Sequence, residues 1–236
     1  MTVDEVAQLA AARERVLERI ERAARRAGRD PAAVTLVAVS KTVPAERAQA
    51  AIDAGLRTLG ENRVQEAATK IPATSGGTWH LVGPLQSNKA GRAVELFDTI
   101  QSVDSLGLAR RLDRLARERS PGRPLPVLLQ VNVADDPAKA GFTPDAATGA
   151  LPELLRLPNV RVDGLMTIGP LVDSPEAARP TFVALRRLAE TLCAGQPALG
   201  AALSMGMSDD FEVAVEEGAT IVRVGRAIFG ERHHHG

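Results

Sequence analysis

Tyrosine is absent from the 236 residues, and aromatic residues amount to only 3% of them, five Phe and one Trp. The phenol that many enzymes use as a general acid or base is therefore missing. Cysteine occurs once, at Cys193, which excludes an intrachain disulfide and fits a reducing compartment. Neither sign of charge is in excess. The 29 Lys and Arg balance 29 Asp and Glu, so no overall field draws in nucleic acid. Long apolar runs are wanting too, since the uncharged stretch 191–208 is broken by Gln196, Pro197 and several Gly. No membrane span is expected. Nor does a basic and then apolar leader open the sequence, so a secretory signal is not expected either. These absences point to a cytoplasmic protein with no nucleic-acid or membrane partner.

What is present is ordinary for a globular chain, with 44% apolar and 25% charged residues. Residues 3–28 have apolar positions at helical spacing (Val6, Leu9, Val16, Leu17, Ile20, Ala24, Ala27) and Gly28 as the stop. The opposite face carries Arg13, Arg15, Arg19, Arg22, Arg25, Arg26 and Arg29 among Glu14, Glu18 and Glu21, which reads as a solvated face with i,i+4 pairs. Further on, β-rich runs at 34–40, 57–60, 78–82, 98–102, 126–133, 161–168, 200–204 and 221–224 alternate with helical patterns. Those helical patterns lie near 44–54, 62–70, 87–96, 105–119, 144–156, 174–193 and 208–217. Strict alternation implies parallel strands joined by crossovers, and eight units fit a (β/α)8 TIM barrel better than an open sheet. No linker divides the chain, so 1–232 is expected to be one domain with an extra N-terminal helix. The end, 233–236, holds three of the four His and is set apart as a tail.

The first β-rich run, Val34-Thr35-Leu36-Val37-Ala38-Val39-Ser40, closes on Lys41 just before a loop and a helix. In α/β folds ligands meet the loops that follow strands. A lysine there either does chemistry or merely leaves the core for water. Phosphates often sit after strands 7 and 8 of a barrel. Those loops here are Ser204-Met205-Gly206-Met207-Ser208-Asp209-Asp210, with Ser208 at the helix start, and Arg223-Val224-Gly225-Arg226-Ala227. Gly permits close backbone approach, and N–H groups at such a turn favour an anion. In Gly60-Glu61-Asn62, Asn62 either caps the next helix or bonds a ligand at the barrel mouth. His80 lies inside a strand run with no second His or Cys at ligand spacing, so no metal site is expected. Walker A, Gly-x-Gly-x-x-Gly and Gly-x-Ser-x-Gly patterns are all missing.

Together these stretches resemble the pyridoxal phosphate homeostasis proteins, one-domain relatives of the alanine racemase N-terminal barrel. The resemblance rests on Val37-Ala38-Val39-Ser40-Lys41-Thr42, Gly60-Glu61-Asn62, Gly83-Pro84-Leu85-Gln86-Ser87-Asn88-Lys89, the block from Ser204 to Asp210, and Val222-Arg223-Val224-Gly225. It implies pyridoxal 5′-phosphate (PLP) as cofactor, with Lys41 as the Schiff-base lysine. Ser204, Gly225 and Arg226 correspond to phosphate contacts, and Arg223 to the arginine facing the pyridine nitrogen. Two positions depart from the family pattern. Arg226 replaces a common Thr, so its phosphate contact is backbone, guanidinium or both; Arg63 replaces a common aromatic.

An imine needs an unprotonated amine, and partial desolvation lowers a lysine pKa toward that state. Arginine stays protonated, so it donates to a pyridine nitrogen without protonating it, leaving a weak electron sink. The resemblance therefore implies a non-catalytic, monomeric PLP carrier, with no catalytic residue of its own. Such a carrier buffers the cofactor or delivers it to apo PLP-dependent enzymes. The alternative is an amino-acid racemase, whose relatives use a tyrosine from a second domain.

Overall fold

A short apolar run followed by an amphipathic segment long enough to cross back over a sheet makes parallel strands. The computed structural model describes residues 3–119, 122–134, 136, 139–170 and 172–230, and it is built of such units. The strands are β1 (Thr35–Val39), β2 (Thr58–Glu61), β3 (Thr78–Leu81), β4 (Thr99–Val103), β5 (Leu125–Gln130), β6 (Val160–Met166), β7 (Ala202–Ser204) and β8 (Ile221–Val224). They close into a barrel in chain order, and β1 pairs with β8 in parallel. The helices are α1 (Val3–Arg26), α2 (Ala45–Asp53), α3 (Val64–Lys70), α4 (Ala90–Leu96), α5 (Leu106–Arg119), α6 (Pro144–Leu154), α7 (Arg179–Gly195), α8 (Phe211–Glu216) and α9 (Arg226–Phe229). The expected eight-strand barrel with an N-terminal helix is present. The expected tail at 233–236 lies outside the described residues.

Alternation along each strand divides the apolar residues between two compartments. Ala38, Leu59, Leu81, Ile100, Leu129, Leu165, Leu203 and Val222 join the helices in the outer core. Val37, Val82, Leu128 and Met166 are buried but stand apart from that cluster, on the alternate positions that face the barrel interior. His80, Gln101, Ser204 and Arg223 share this inward register and are buried as well. A polar interior is unusual for a barrel filled mostly by branched apolar side chains. Its cost is met by hydrogen bonds described below.

The arginine-rich face of α1 departs from expectation. Arg25 does make an i,i+4 pair with Glu21, but Arg19 binds Glu212 through two bonds of 2.9 and 3.2 Å. Arg26 pairs with Glu216 at 2.7 Å, and Arg29 donates to the carbonyls of Gly218 and Ala219 at 3.2 and 2.9 Å. The Arg19 guanidinium also lies 4.4 Å from the centre of the Phe211 ring. These partners are on α8 or just after it, so the face is in part an intramolecular clamp. Its sequence signature was misleading because pairing across 190 residues leaves no periodicity to read. The clamp matters for the site, since α8 follows the loop from Ser204 to Asp210.

Strand ends lie within three residues of the sequence reading, with β8 matching it at both ends, and Ser208 does not cap α8. The cap position is Asp210, whose side chain instead accepts the Met207 N–H at 2.6 Å within the preceding loop. Among the described residues no helix is long and apolar enough to cross a membrane, and no cluster of His, Cys, Asp and Glu is placed to hold a metal ion.

Candidate functional site

The C-terminal ends of the strands bring four of the expected residues to one mouth. Lys41 follows β1 by two residues and is half-buried. In the pairing of β1 with β2, Val39 stands opposite Gly60, and Lys41 and Asn62 each follow two residues on, in the loops that leave these strands. Asn62 is half-buried and caps nothing, because the N-cap of α3 is Arg63, itself exposed and without a side-chain cap bond. On the other flank of β1, a Cβ on Gly225 would stand 3.2 Å from the Val39 carbonyl oxygen. Gly225 thus lets the end of β8 press against the strand that carries Lys41.

Gly225 opens α9, and its N–H donates to the Ser208 hydroxyl at 3.2 Å. One residue on, the exposed guanidinium of Arg226 pairs with Asp209. Backbone N–H, hydroxyl and guanidinium therefore gather where the two late loops meet, a donor set suited to a phosphate. The loop can approach so closely because Gly206, at φ +90°, packs where a side chain cannot go: a Cβ there would lie 2.5 Å from that of Ala214.

Arg223 and Ser204 sit one layer deeper. The Arg223 guanidinium donates to the Ser204 hydroxyl at 2.6 Å and to the Thr167 carbonyl at 2.8 Å. The Ser204 hydroxyl in turn donates to Gln101 Oε1 at 2.6 Å. That turns the Gln101 amide nitrogen toward His80 Nδ1 at 2.8 Å, so His80 accepts there as the neutral ring protonated on Nε2. Burial holds the His80 pKa down at about 4 against the opposing charge of Asp98, and lowers that of Arg223 to about 10. At neutral pH the chain is one charged donor passing through two neutral relays to a neutral acceptor. It fixes the guanidinium below the mouth.

The expected set therefore separates by depth. Lys41, Asn62, Gly225 and Arg226 surround the mouth, with Arg223 beneath it. The Ser204 hydroxyl is buried and committed to Arg223 and Gln101, which makes it a support for the arginine and not a rim donor. The rim hydroxyl beside Gly225 is that of Ser208, which the sequence reading had used as a helix cap. Both serines were in view in one loop, and only strand direction decides which faces the opening. Gln101 and Thr167 were missed entirely, because a single polar residue in an apolar strand carries no pattern.

An amine, an anion cup and a buried guanidinium together fit a ligand that joins an aldehyde and a phosphate to a pyridine ring. A family model described as alanine racemase, N-terminal domain, matches residues 12–233. The chain is 43% identical over 220 residues to the pyridoxal phosphate homeostasis protein of Aquifex aeolicus, covering 92% of this chain and 96% of that one. Its similarity to the protein of that name from Pseudomonas aeruginosa is 45% over 221 residues, or 92% of this chain and 93% of the relative. The structure of PipY from Synechococcus elongatus with PLP bound superimposes with a TM-score of 0.79 at 45% identity, covering 90% of this chain and all of that one (100%).

Proposed function

This chain belongs to the family of pyridoxal phosphate homeostasis proteins, barrels of the alanine racemase N-terminal type, and on that premise we propose that it binds PLP at Lys41 and buffers or delivers it without catalysing a reaction. The observation that carries the proposal is the convergence of Lys41, the Gly225–Ser208 contact and the buried Arg223 at one end of the barrel. The PLP-bound relative supports it.

PLP supplies an aldehyde that condenses with a primary amine, releasing water, and a pyridine nitrogen whose protonation governs electron withdrawal. Lys41 provides the amine, half-buried at the mouth. The Gly225 backbone, the Ser208 hydroxyl bonded to it and Arg226 would hold the phosphate, and Asn62 lies in the loop after the neighbouring strand. Arg223, held by Ser204 and Thr167, would donate to the ring nitrogen. A guanidinium with a pKa of about 10 keeps its proton at neutral pH, so a ring nitrogen facing it would be bonded but not protonated. Such a ring withdraws electrons weakly, and no tyrosine is present to act as a second base. Both features favour a carrier over the racemase alternative, with apo PLP-dependent enzymes as recipients.

The protein incubated with PLP is expected to show a visible absorbance band that borohydride reduction removes, adding mass at Lys41. Lys41→Ala is expected to lose the band, and amino acids are expected to racemise no faster than with PLP alone. A Lys41→Ala protein with full occupancy and an unchanged band would overturn the site assignment. Sustained racemisation would overturn the carrier.

A further inference from the structure

Among the described residues the only non-glycine residue with positive φ is Thr42, at +66°, next to Lys41. Val43 N–H donates to the Ser40 carbonyl at 3.0 Å, so Lys41 and Thr42 are the two central residues of a tight turn. A positive φ in the second of them is the type II pattern, which normally calls for glycine. A β-branched residue there is strained, and strain of this kind persists only where surrounding contacts enforce it.

Those contacts come from α3 and the end of β2. Lys70, 3% exposed, donates to the Ser40 carbonyl at 2.7 Å and to Glu66 Oε1 at 3.0 Å, and it pairs with Glu61. Glu66 Oε1 in turn accepts the Thr42 N–H at 2.5 Å. Glu61, fully buried, accepts the Ser40 hydroxyl at 2.6 Å. The carbonyl of the residue before Lys41 and the N–H of the residue after it are thus both held by charged side chains of one helix. A carboxylate and an ammonium buried together, with the half-buried Glu66 beside them, are a poor choice for stability alone, more so since Glu61 Oε2 has no hydrogen-bond partner. Well-packed apolar side chains would serve the fold at least as well.

We propose that Glu66 and Lys70, anchored by Glu61, are positioning residues that set where the Lys41 amine stands, by clamping both peptide groups that flank it. The inference rests on Lys41 being the residue that takes the PLP aldehyde. Lys41 is on a turn and not on a strand, so strand pairing ends before it; the clamp replaces the missing ladder bonds. A small displacement of a reacting group is costly to reaction while leaving other contacts intact.

The test compares PLP with pyridoxine 5′-phosphate, which has the same ring and phosphate but an alcohol in place of the aldehyde. In Glu66→Ala, calorimetry is expected to show PLP binding weakened by about tenfold or more and pyridoxine 5′-phosphate binding changed by less than about twofold. Glu66→Gln keeps an acceptor for the Thr42 N–H and is expected to restore most of the PLP affinity. Lys70→Met, isosteric enough to fold, is expected to repeat the Glu66→Ala result. Equal weakening of both ligands would reduce the cluster to a structural role, and unchanged PLP binding in both variants would overturn the clamp. If the unsubstituted protein gains no mass at Lys41 on reduction with PLP, the reading of Lys41 fails first and the inference with it.

Discussion

Acidification should release the buried chain at His80. The folded protein holds His80 neutral with a pKa of about 4, because burial outweighs the opposing charge of Asp98; its Nδ1 accepts from Gln101. The ordinary value is near 6.5, so the unfolded chain takes up a proton on this ring well before the folded one does. The sign follows from the depressed folded value. The contribution to stability is complete above about pH 6.5 and is lost as the pH falls toward about 4. A gap of about 2.5 pKa units corresponds to about 3 kcal/mol in full, of which about 2 kcal/mol is gone by about pH 5. Carboxylates with lowered pKa, among them Glu212 and Glu216 beside their arginines, also weaken the fold in acid. A non-titrating variant, His80→Gln, separates the two effects, since those carboxylates are common to both proteins. Urea unfolding near pH 7 and about pH 5 should therefore show the unsubstituted protein losing about 2 kcal/mol more than His80→Gln over the interval. Equal losses in the two proteins would refute the neutral, bonded histidine and with it the orientation assigned to Gln101, Ser204 and Arg223.

Thr42→Gly removes a left-handed strain of about 1 kcal/mol and adds about half as much unfolded-chain freedom, so a net stabilisation of about 0.5 kcal/mol is expected in chemical denaturation. A loss of stability would show that the positive φ is not a strain. Arg226→Thr should keep PLP binding within about tenfold by fluorescence titration, about 1.4 kcal/mol, because the Gly225 N–H and Ser208 hydroxyl remain. Complete loss of binding would make the exposed guanidinium the main phosphate ligand.

The alternation of β-rich and helical segments, read with no coordinates, was enough for eight parallel strands and an N-terminal helix, because strand and helix periods are local properties of the chain. It was also enough to put Lys41 at a strand end and glycines in the last two loops. Where local pattern competes with distant partners, the reading failed. The arginines of α1 look like a solvated face until α8 folds against them, and Ser208 looks like a cap until Asp210 takes that place.

Candidates for chemistry were thus legible as types and spacings, from Lys41, Gly225 and Arg223, together with the absent tyrosine. Tertiary structure decided what each one faces. Barrel closure brings β8 beside β1, turns Ser204 inward and Ser208 toward the rim, and lines up His80, Gln101, Ser204 and Arg223 from four strands. It also sets Glu61, Glu66 and Lys70 around the turn at Lys41. Hydrogen bonds between strands far apart in the chain leave no periodic trace, since each partner is a single polar residue in an otherwise apolar run, and only the closed barrel defines the distances between them.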